Sequence, residues 1–250
     1  MTDSFTAPLF APRLIEGDDA NVILVCDHAS NAVPPGLDLG VPAEALTQHV
    51  AWDIGAEAIT RTVAAALSCR AWLASASRLV VDCNRDPEHA IPETSDGIPI
   101  PANIGLSPTD RAARLALHTA FHDGLAHQIE QRPPTLLVSI HSFTPALVSA
   151  PAPRPWPIAL LWNQDYRATE HGLAALRAEP DLGGPVGANE PYSGQVLNYT
   201  VDRHAEAIGL PALGFEIRQD LISDAAGVAR WAAIVARTII ATQKGLCPEC

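Results

Sequence analysis

Two histidines stand where an apolar run turns abruptly polar. In Val22-Ile23-Leu24-Val25-Cys26-Asp27-His28-Ala29-Ser30-Asn31 the apolar residues give way to Asp, His, Ser and Asn, and Pro34-Pro35-Gly36 follows. The stretch Leu136-Leu137-Val138-Ser139-Ile140-His141-Ser142 repeats the pattern. Short apolar runs bounded by polar residues read as strands buried on both faces. Polar groups at the carboxyl end of a central strand face the crevice where open α/β sheets bind ligands. One such histidine would as readily cap a strand and bond a carbonyl, but the recurrence favours a shared role. Two imidazoles from separate strand ends and one carboxylate make the ligand set of a catalytic zinc, with a fourth position for water. His28 and His141 are the firm ligands of this set. The third is open: Asp53 offers a charged oxygen, Asn31 a weaker carbonyl and His49 a nitrogen. Zinc held this way lowers the pKa of its water towards ~7.

Amide hydrolysis also needs a group that carries protons to the leaving amine. Glu216 interrupts the apolar alternation of Ala212-Leu213-Gly214-Phe215-Glu216-Ile217-Arg218. A glutamate inside a buried strand is costly unless it faces a cavity or a partner, which makes it the candidate proton shuttle. The alternative is an ion pair with Arg218, two residues on and on the same strand face. Arg85 and Arg218 both follow apolar runs, and arginine holds a carboxylate in two parallel hydrogen bonds. They imply a small anionic substrate, although either could instead pair with a nearby aspartate. His118 and His122 lie one helical turn apart without the intervening Glu of a zinc-protease helix, and read as surface residues. Cys247-Pro248-Glu249-Cys250 has no second pair to complete a zinc knuckle and reads as a tail. Gly183-Gly184 lacks the spacing of a phosphate loop.

The elements that must position these groups alternate between strand and helix. Residues 1–20 read as an extended arm. After the first strand, a helical stretch is expected from Pro42 to about Leu67, with His49 and Asp53 on one face at its front. Arg70–Ala74 is a weak strand and Ser77–Arg85 a strong one, ending in Asp82, Asn84 and Arg85. Residues 86–108 hold five prolines and no periodicity, as a lid or binding loop would. Ser107-Pro108-Thr109-Asp110 is a helix start, followed by the stripe Leu117, Phe121, Leu125 and Ile129. Further strands are expected at Ile158–Trp162 and Ala212–Arg218. Further helices are expected at Tyr166–Arg177, near Leu197–Ile208 and at Ala225–Thr242. The whole of 1–250 reads as one catalytic domain, a three-layer α/β/α sandwich with a mixed, largely parallel sheet and a tail at 244–250.

Composition bounds the partners. The chain has 250 residues, 48% of them hydrophobic, enough for one sizeable core. Its 16 Lys and Arg against 28 Asp and Glu give a net charge of −12. That argues against nucleic acid or an anionic membrane surface as partner. No apolar run approaches the ~20 residues of a bilayer span, and no signal-peptide pattern is visible at the N-terminus. Five cysteines without framework spacing fit a reducing compartment. The expectation is a cytoplasmic protein of undetermined oligomeric state.

Several motifs in the right order together resemble the N-formylglutamate amidohydrolase family. They are Cys26-Asp27-His28-Ala29-Ser30-Asn31, His49-Val50-Ala51-Trp52-Asp53-Ile54-Gly55, Ser77-Arg78 with Asp82-Cys83-Asn84-Arg85, and Ser139-Ile140-His141-Ser142. Asn189-Glu190-Pro191-Tyr192-Ser193-Gly194 and Gly214-Phe215-Glu216-Ile217-Arg218 complete the set. The resemblance spans about residues 20–240. It implies a zinc-exopeptidase-like α/β/α fold and hydrolysis of the N-acyl, formyl-type amide of a small acidic amino acid such as N-formylglutamate. It further implies a divalent metal, zinc, with Glu216 matching the general base; the ligands expected from the residues are His28, His141 and, as third, Asp53, with Asn31 and His49 the alternatives. The substrate would be held by Asn31, Arg78, Asn84, Arg85, Ser142, Asn189, Tyr192 and Arg218, the Asn84-Arg85 pair on its carboxylate. Asn31 stands where the wider superfamily's H-x-x-E pattern has Glu, which marks a divergent branch. A related zinc metallopeptidase or cell-wall amidase, and a ligand-binding member without chemistry, are the alternatives.

Overall fold

The computed structural model describes residues 10–180 and 182–247. In chain order it contains β1 (Arg13–Ile15), β2 (Asp19–Cys26), α1 (Ala56–Leu67), β3 (Cys69–Leu73), β4 (Thr94–Ser95) and β5 (Ile98–Pro99). Then follow α2 (Pro108–Gln131), β6 (Leu136–Phe143), β7 (Ile158–Leu161), α3 (Arg167–Ala178) and β8 (Val186–Ala188). The chain closes with α4 (Tyr199–His204), β9 (Ala212–Arg218) and α5 (Ala225–Leu246). Seven strands form one sheet in the order β1-β3-β2-β6-β9-β7-β8. Its centre, β3, β2, β6 and β9, is parallel, while β1 and β7 join it antiparallel. The sheet is therefore mixed and largely parallel.

Alternation along β2 sorts side chains into two layers. Val22, Leu24 and Cys26 pack with Ile59 and Val63 of α1, Leu173 of α3 and Trp231 and Val235 of α5. Ile23 and Val25 point the other way, to Phe121, Leu125 and Ile129 of α2 and Val201 of α4. On this second face Leu137 of β6 and Ala212 of β9 stay apolar. Farther along the same face come Ser139 and His141, and Gly214 and Glu216. The registers Ser139↔Gly214 and His141↔Glu216 put these residues side by side. One face of the sheet thus changes from core to chemistry along its length.

Helix α2 begins as expected, with Ser107 Oγ accepting from the Asp110 amide at 3.1 Å and Pro108 at the first helical position. Helix α5 is long and apolar enough to cross a membrane by composition, with mean hydropathy 1.3 in its best window. It packs instead as a core helix, with Trp231, Val235 and Ile239 buried.

Four expectations from the sequence need correction. The stretch 42–67 is not one helix: Ala43–Thr47 is a single 3-10 turn and α1 starts only at Ala56. Gly55 between them has φ +83°, and a Cβ there would meet the Ile222 carbonyl oxygen at 2.5 Å. His49 and Asp53 consequently lie in irregular backbone and share no helix face. The run 77–85 is not a strand, because it folds back on itself. The Val80 and Val81 amides donate to the Ser77 carbonyl, and Ser77 Oγ donates to the Ala51 carbonyl. Leu79 and Val80 are still buried, in a satellite cluster with Leu39, Val50 and Ile100. Within the expected arm, residues 13–15 pair with β3. Of the expected tail, residues 244–246 belong to α5 and residues 248–250 lie outside the described residues. Cys26, Cys69 and Cys83 are free and buried, and Cys247 is disulfide-bonded.

Candidate active site

The carboxyl ends of β2, β6 and β9 deliver Asp27 and His28, His141, and Glu216 to one point. His28 Nε2 lies 2.7 Å from Asp82 Oδ1, and its Nδ1 lies 3.3 Å from Asp53 Oδ2. His141 Nδ1 lies 2.9 Å from the same Asp53 oxygen. Asp53 also accepts from the Ser142 amide at 3.2 Å, while Ser142 Oγ donates to the Ile54 carbonyl. Arg78 donates to Asp82 Oδ2 at 2.7 Å and to Asp53 Oδ1 at 3.4 Å. The two imidazole centroids are 5.1 Å apart.

Asp27 is the member that sequence reasoning passed over as a ligand. Its Oδ2 accepts from the Thr200 hydroxyl at 2.7 Å. Its Oδ1 is buried and makes no hydrogen bond, although it lies 3.2 Å from His141 Nε2 and 3.9 Å from His28 Nδ1. Ligand atoms of Asp27, His28 and His141 all lie within 4.8 Å of one another. The donor set fits a divalent cation on two grounds. An orphaned carboxylate oxygen stands between two imidazoles. Around those imidazoles, Asp27, Asp53 and Asp82 against Arg78 leave an excess of two negative charges. With an ion on His28 Nδ1, His141 Nε2 and Asp27, the ring nitrogens left over would face Asp82 and Asp53. Carboxylates in that position orient metal-binding histidines and raise their basicity.

The same charges set the titrations. Burial opposes a charge on His141, but Asp27, Asp53 and Glu216 outweigh it and raise its pKa to about 10. Burial and Arg78 likewise oppose a charge on His28, and Asp82, Asp53 and Asp27 outweigh them to raise its pKa. Asp53 is held down despite its burial by His28 and His141. Asp82 is held well below the carboxylate range, against burial, by Arg78 and His28. Glu216 moves the other way. Burial, helped by Asp53 and opposed by His141, pushes it up to about 7, and its Oε2 has no hydrogen-bond partner.

These residues open on a cavity of about 280 Å³. His28, Asp53, Arg78, Asn84, Arg85, His141, Ser142, Tyr192 and Glu216 all line it. Arg85 donates to the Asn84 carbonyl at 2.8 Å, and Asn84 Oδ1 accepts from the Thr200 amide at 3.1 Å. Tyr192 is fixed by Arg154, which donates to its hydroxyl at 3.0 Å and lies 4.8 Å over its ring. The roof comes from the loops. Asp96, between β4 and β5, lies 3.0 Å from His49 Nε2 and accepts from the Val148 and Ser149 amides and the Ser149 hydroxyl. A wider groove of about 440 Å³ beside Ile15, Arg61 and Ala64 shares no residue with this cavity.

Three expected substrate residues are not brought here. Asn31 donates to the Leu46 carbonyl at 2.8 Å, which pins the chain after β2. Asn189 adopts φ +55° and bridges Trp162 and Gly194 through its amide. Arg218 pairs with Asp220 at 2.8 Å and donates to the Arg154 carbonyl, so it is not the partner of Glu216. His118 and His122, expected at the surface, are buried. The helix bearing them faces a loop whose carbonyls need donors, and no periodic signal reveals that.

Fold and site together define an α/β protein with a buried Asp/His/His group and a glutamate at the carboxyl edge of its sheet. The chain belongs to the N-formylglutamate amidohydrolase family, whose model matches residues 20–223. It is similar to the crystal structure of a gene product from Agrobacterium tumefaciens, at 32% identity and TM-score 0.87, covering 98% of each chain. It shares its fold with the crystal structure of N-formylglutamate amidohydrolase from Ralstonia eutropha, at 17% identity and TM-score 0.60, covering 93% of this chain and 97% of that one. No curated protein matches it significantly.

Proposed function

We propose that this protein is a metal-dependent amidohydrolase that removes the N-acyl group of a small acidic amino acid, N-formylglutamate being the type substrate. The observation that carries the reading is Glu216, buried with an unpartnered carboxylate oxygen in the same cavity as His28 and His141. Asp27, His28 and His141 would hold the ion, zinc being the first choice for two imidazoles and a carboxylate. A bound divalent ion would polarise the scissile carbonyl and activate a water. Glu216 would serve as the proton carrier, accepting a proton from the attacking water and giving it to the leaving amine as the C–N bond breaks. Arg78 is engaged with Asp82 and Asp53. Among the described residues Arg85 donates only to a backbone carbonyl, which leaves it donors for a substrate carboxylate. A cavity of about 280 Å³ is of a size to hold a small molecule. The net charge of −12 also argues against a nucleic acid or an anionic membrane as the partner.

The test is to measure metal content on the purified protein and amine release from N-formylglutamate, its α-amide, its γ-amide and a cell-wall peptide. One metal per chain, activity lost to a chelator and restored by zinc, and preference for the free acid support the reading. Equal rates on the acid and on both amides, or preference for the peptide, overturn it.

A further inference from the structure

Helix α2 carries two buried histidines on the face where the neighbouring turns carry Phe121, Leu125 and Ile129. Leucine there would bury as much surface, so the imidazoles answer a polar need. Residues 82–85 supply it. They belong to neither helix nor strand, so no ladder satisfies their carbonyls. His118 Nε2 lies 2.9 Å from the Arg85 carbonyl oxygen, and His122 Nε2 lies 2.9 Å from that of Cys83. A carbonyl only accepts, so both Nε2 atoms carry hydrogen and donate. Burial above all keeps His122 uncharged, at about 2, and lowers His118 as well. The Nδ1 of neutral His122 is therefore an acceptor. It receives the Nε2–H of His204 at 2.8 Å, from a ring stacked on its own at 10°. The tautomers are thus set throughout the chain His204–His122–Cys83.

Both gripped carbonyls flank Asn84, whose side chain is tied to the Thr200 amide. Arg85 in turn rests its guanidinium on the Asn84 carbonyl before reaching the cavity. We propose that His118 and His122 are positioning residues for the substrate anion: by clamping the carbonyls on either side of Asn84 they set the direction from which Arg85 enters the cavity. The inference rests on the reading that Arg85 meets a substrate carboxylate.

The test compares His118→Leu, His118→Asn and His118→Gln with the wild type. Glutamine carries an amide N–H out to the place of Nε2, asparagine is too short, and leucine has no donor. With N-formylglutamate, the Leu and Asn variants should raise KM about tenfold, the scale of one modest hydrogen bond. Their kcat should stay within about twofold and their metal content at the wild-type level, while the Gln variant recovers the wild-type KM. With the α-amide and the γ-amide tested in parallel, the one that lacks the carboxylate Arg85 meets should give all four proteins the same KM. If the Leu variant does not fold, the comparison of Asn with Gln decides the matter. A Gln variant as impaired as Asn, or a loss confined to kcat or to metal content, overturns the inference and leaves the function standing. A wild type inactive on N-acyl acids overturns the functional reading first, and this inference with it.

Discussion

The hydroxyl of Thr200 donates to one oxygen of Asp27 at 2.7 Å and leaves the other without a hydrogen bond, between His28 and His141. The two residues are 173 positions apart in sequence. Thr200 sits in α4, so a short helix on one layer orients a carboxylate delivered by β2. Replacing Thr200 with Val keeps the shape and removes the donor. Zinc affinity, read by competition with a chromophoric chelator, should fall roughly 10- to 100-fold, as for other groups that orient metal ligands. Thr200→Ser should stay near wild type. Equal affinities for the Val and Ser variants would remove Thr200 from the site.

Glu216→Gln preserves volume and polarity but cannot carry a proton. Turnover should drop by about 10²-fold or more, with zinc content unchanged by elemental analysis. A Gln variant with ordinary turnover would assign the proton transfer elsewhere.

Arg85→Lys keeps the charge and loses the planar fork. KM for the free acid should rise substantially, while kcat moves little. Amidating the carboxylate should erase the difference between the variant and the wild type. A variant indistinguishable from wild type on the acid would show that Arg85 reads no carboxylate.

The buried imidazoles also predict how stability responds to acid. Burial first, then the neighbouring His118, His204 and Arg203, holds His122 down to about 2. Burial and Arg203, opposed by Asp123, hold His204 at about 4. Both have an ordinary value of 6.5. Below that pH the unfolded chain takes up two protons that the folded chain refuses, so stability falls with acidity. The pair contributes a slope of up to ~2.7 kcal/mol per pH unit in a window from about pH 6.5 down to about pH 4. Urea unfolding at pH 7, 6 and 5 should show a shallower slope for His204→Phe than for wild type, by about one proton. Parallel slopes would mean that His204 is protonated in the folded protein.

Strand alternation explains why much of the site was legible. β2, β6 and β9 are continuous apolar runs, and period two along β6 and β9 puts His141 and Glu216 on the same face. Ser107 and Pro108 likewise announce α2 through local chemistry. Asp27 was missed because strict alternation would turn it away from His28, and β2 ends one residue earlier, at Cys26. The segment 77–84 is as apolar as a strand because satellite clusters bury it, and hydrophobicity does not distinguish a buried turn from a buried ladder. Asn189 and Asn31 look like binding residues by type, but their amides hold backbone in place. His118 and His122 depend on carbonyls some thirty-three to thirty-nine positions away, which only the fold brings near.

The sheet closes at its two margins with its shortest strands. β1 and β8 have three residues each, whereas β2 and β6 between them have eight. A long, bare margin would offer a row of unpaired N–H and C=O groups on which another chain could add a strand. Three residues offer too few bonds to hold one. The long, apolar strands that carry His28 and His141 are thereby kept from templating aggregation, and the fold can concentrate its most sticky sequence beneath its most polar site.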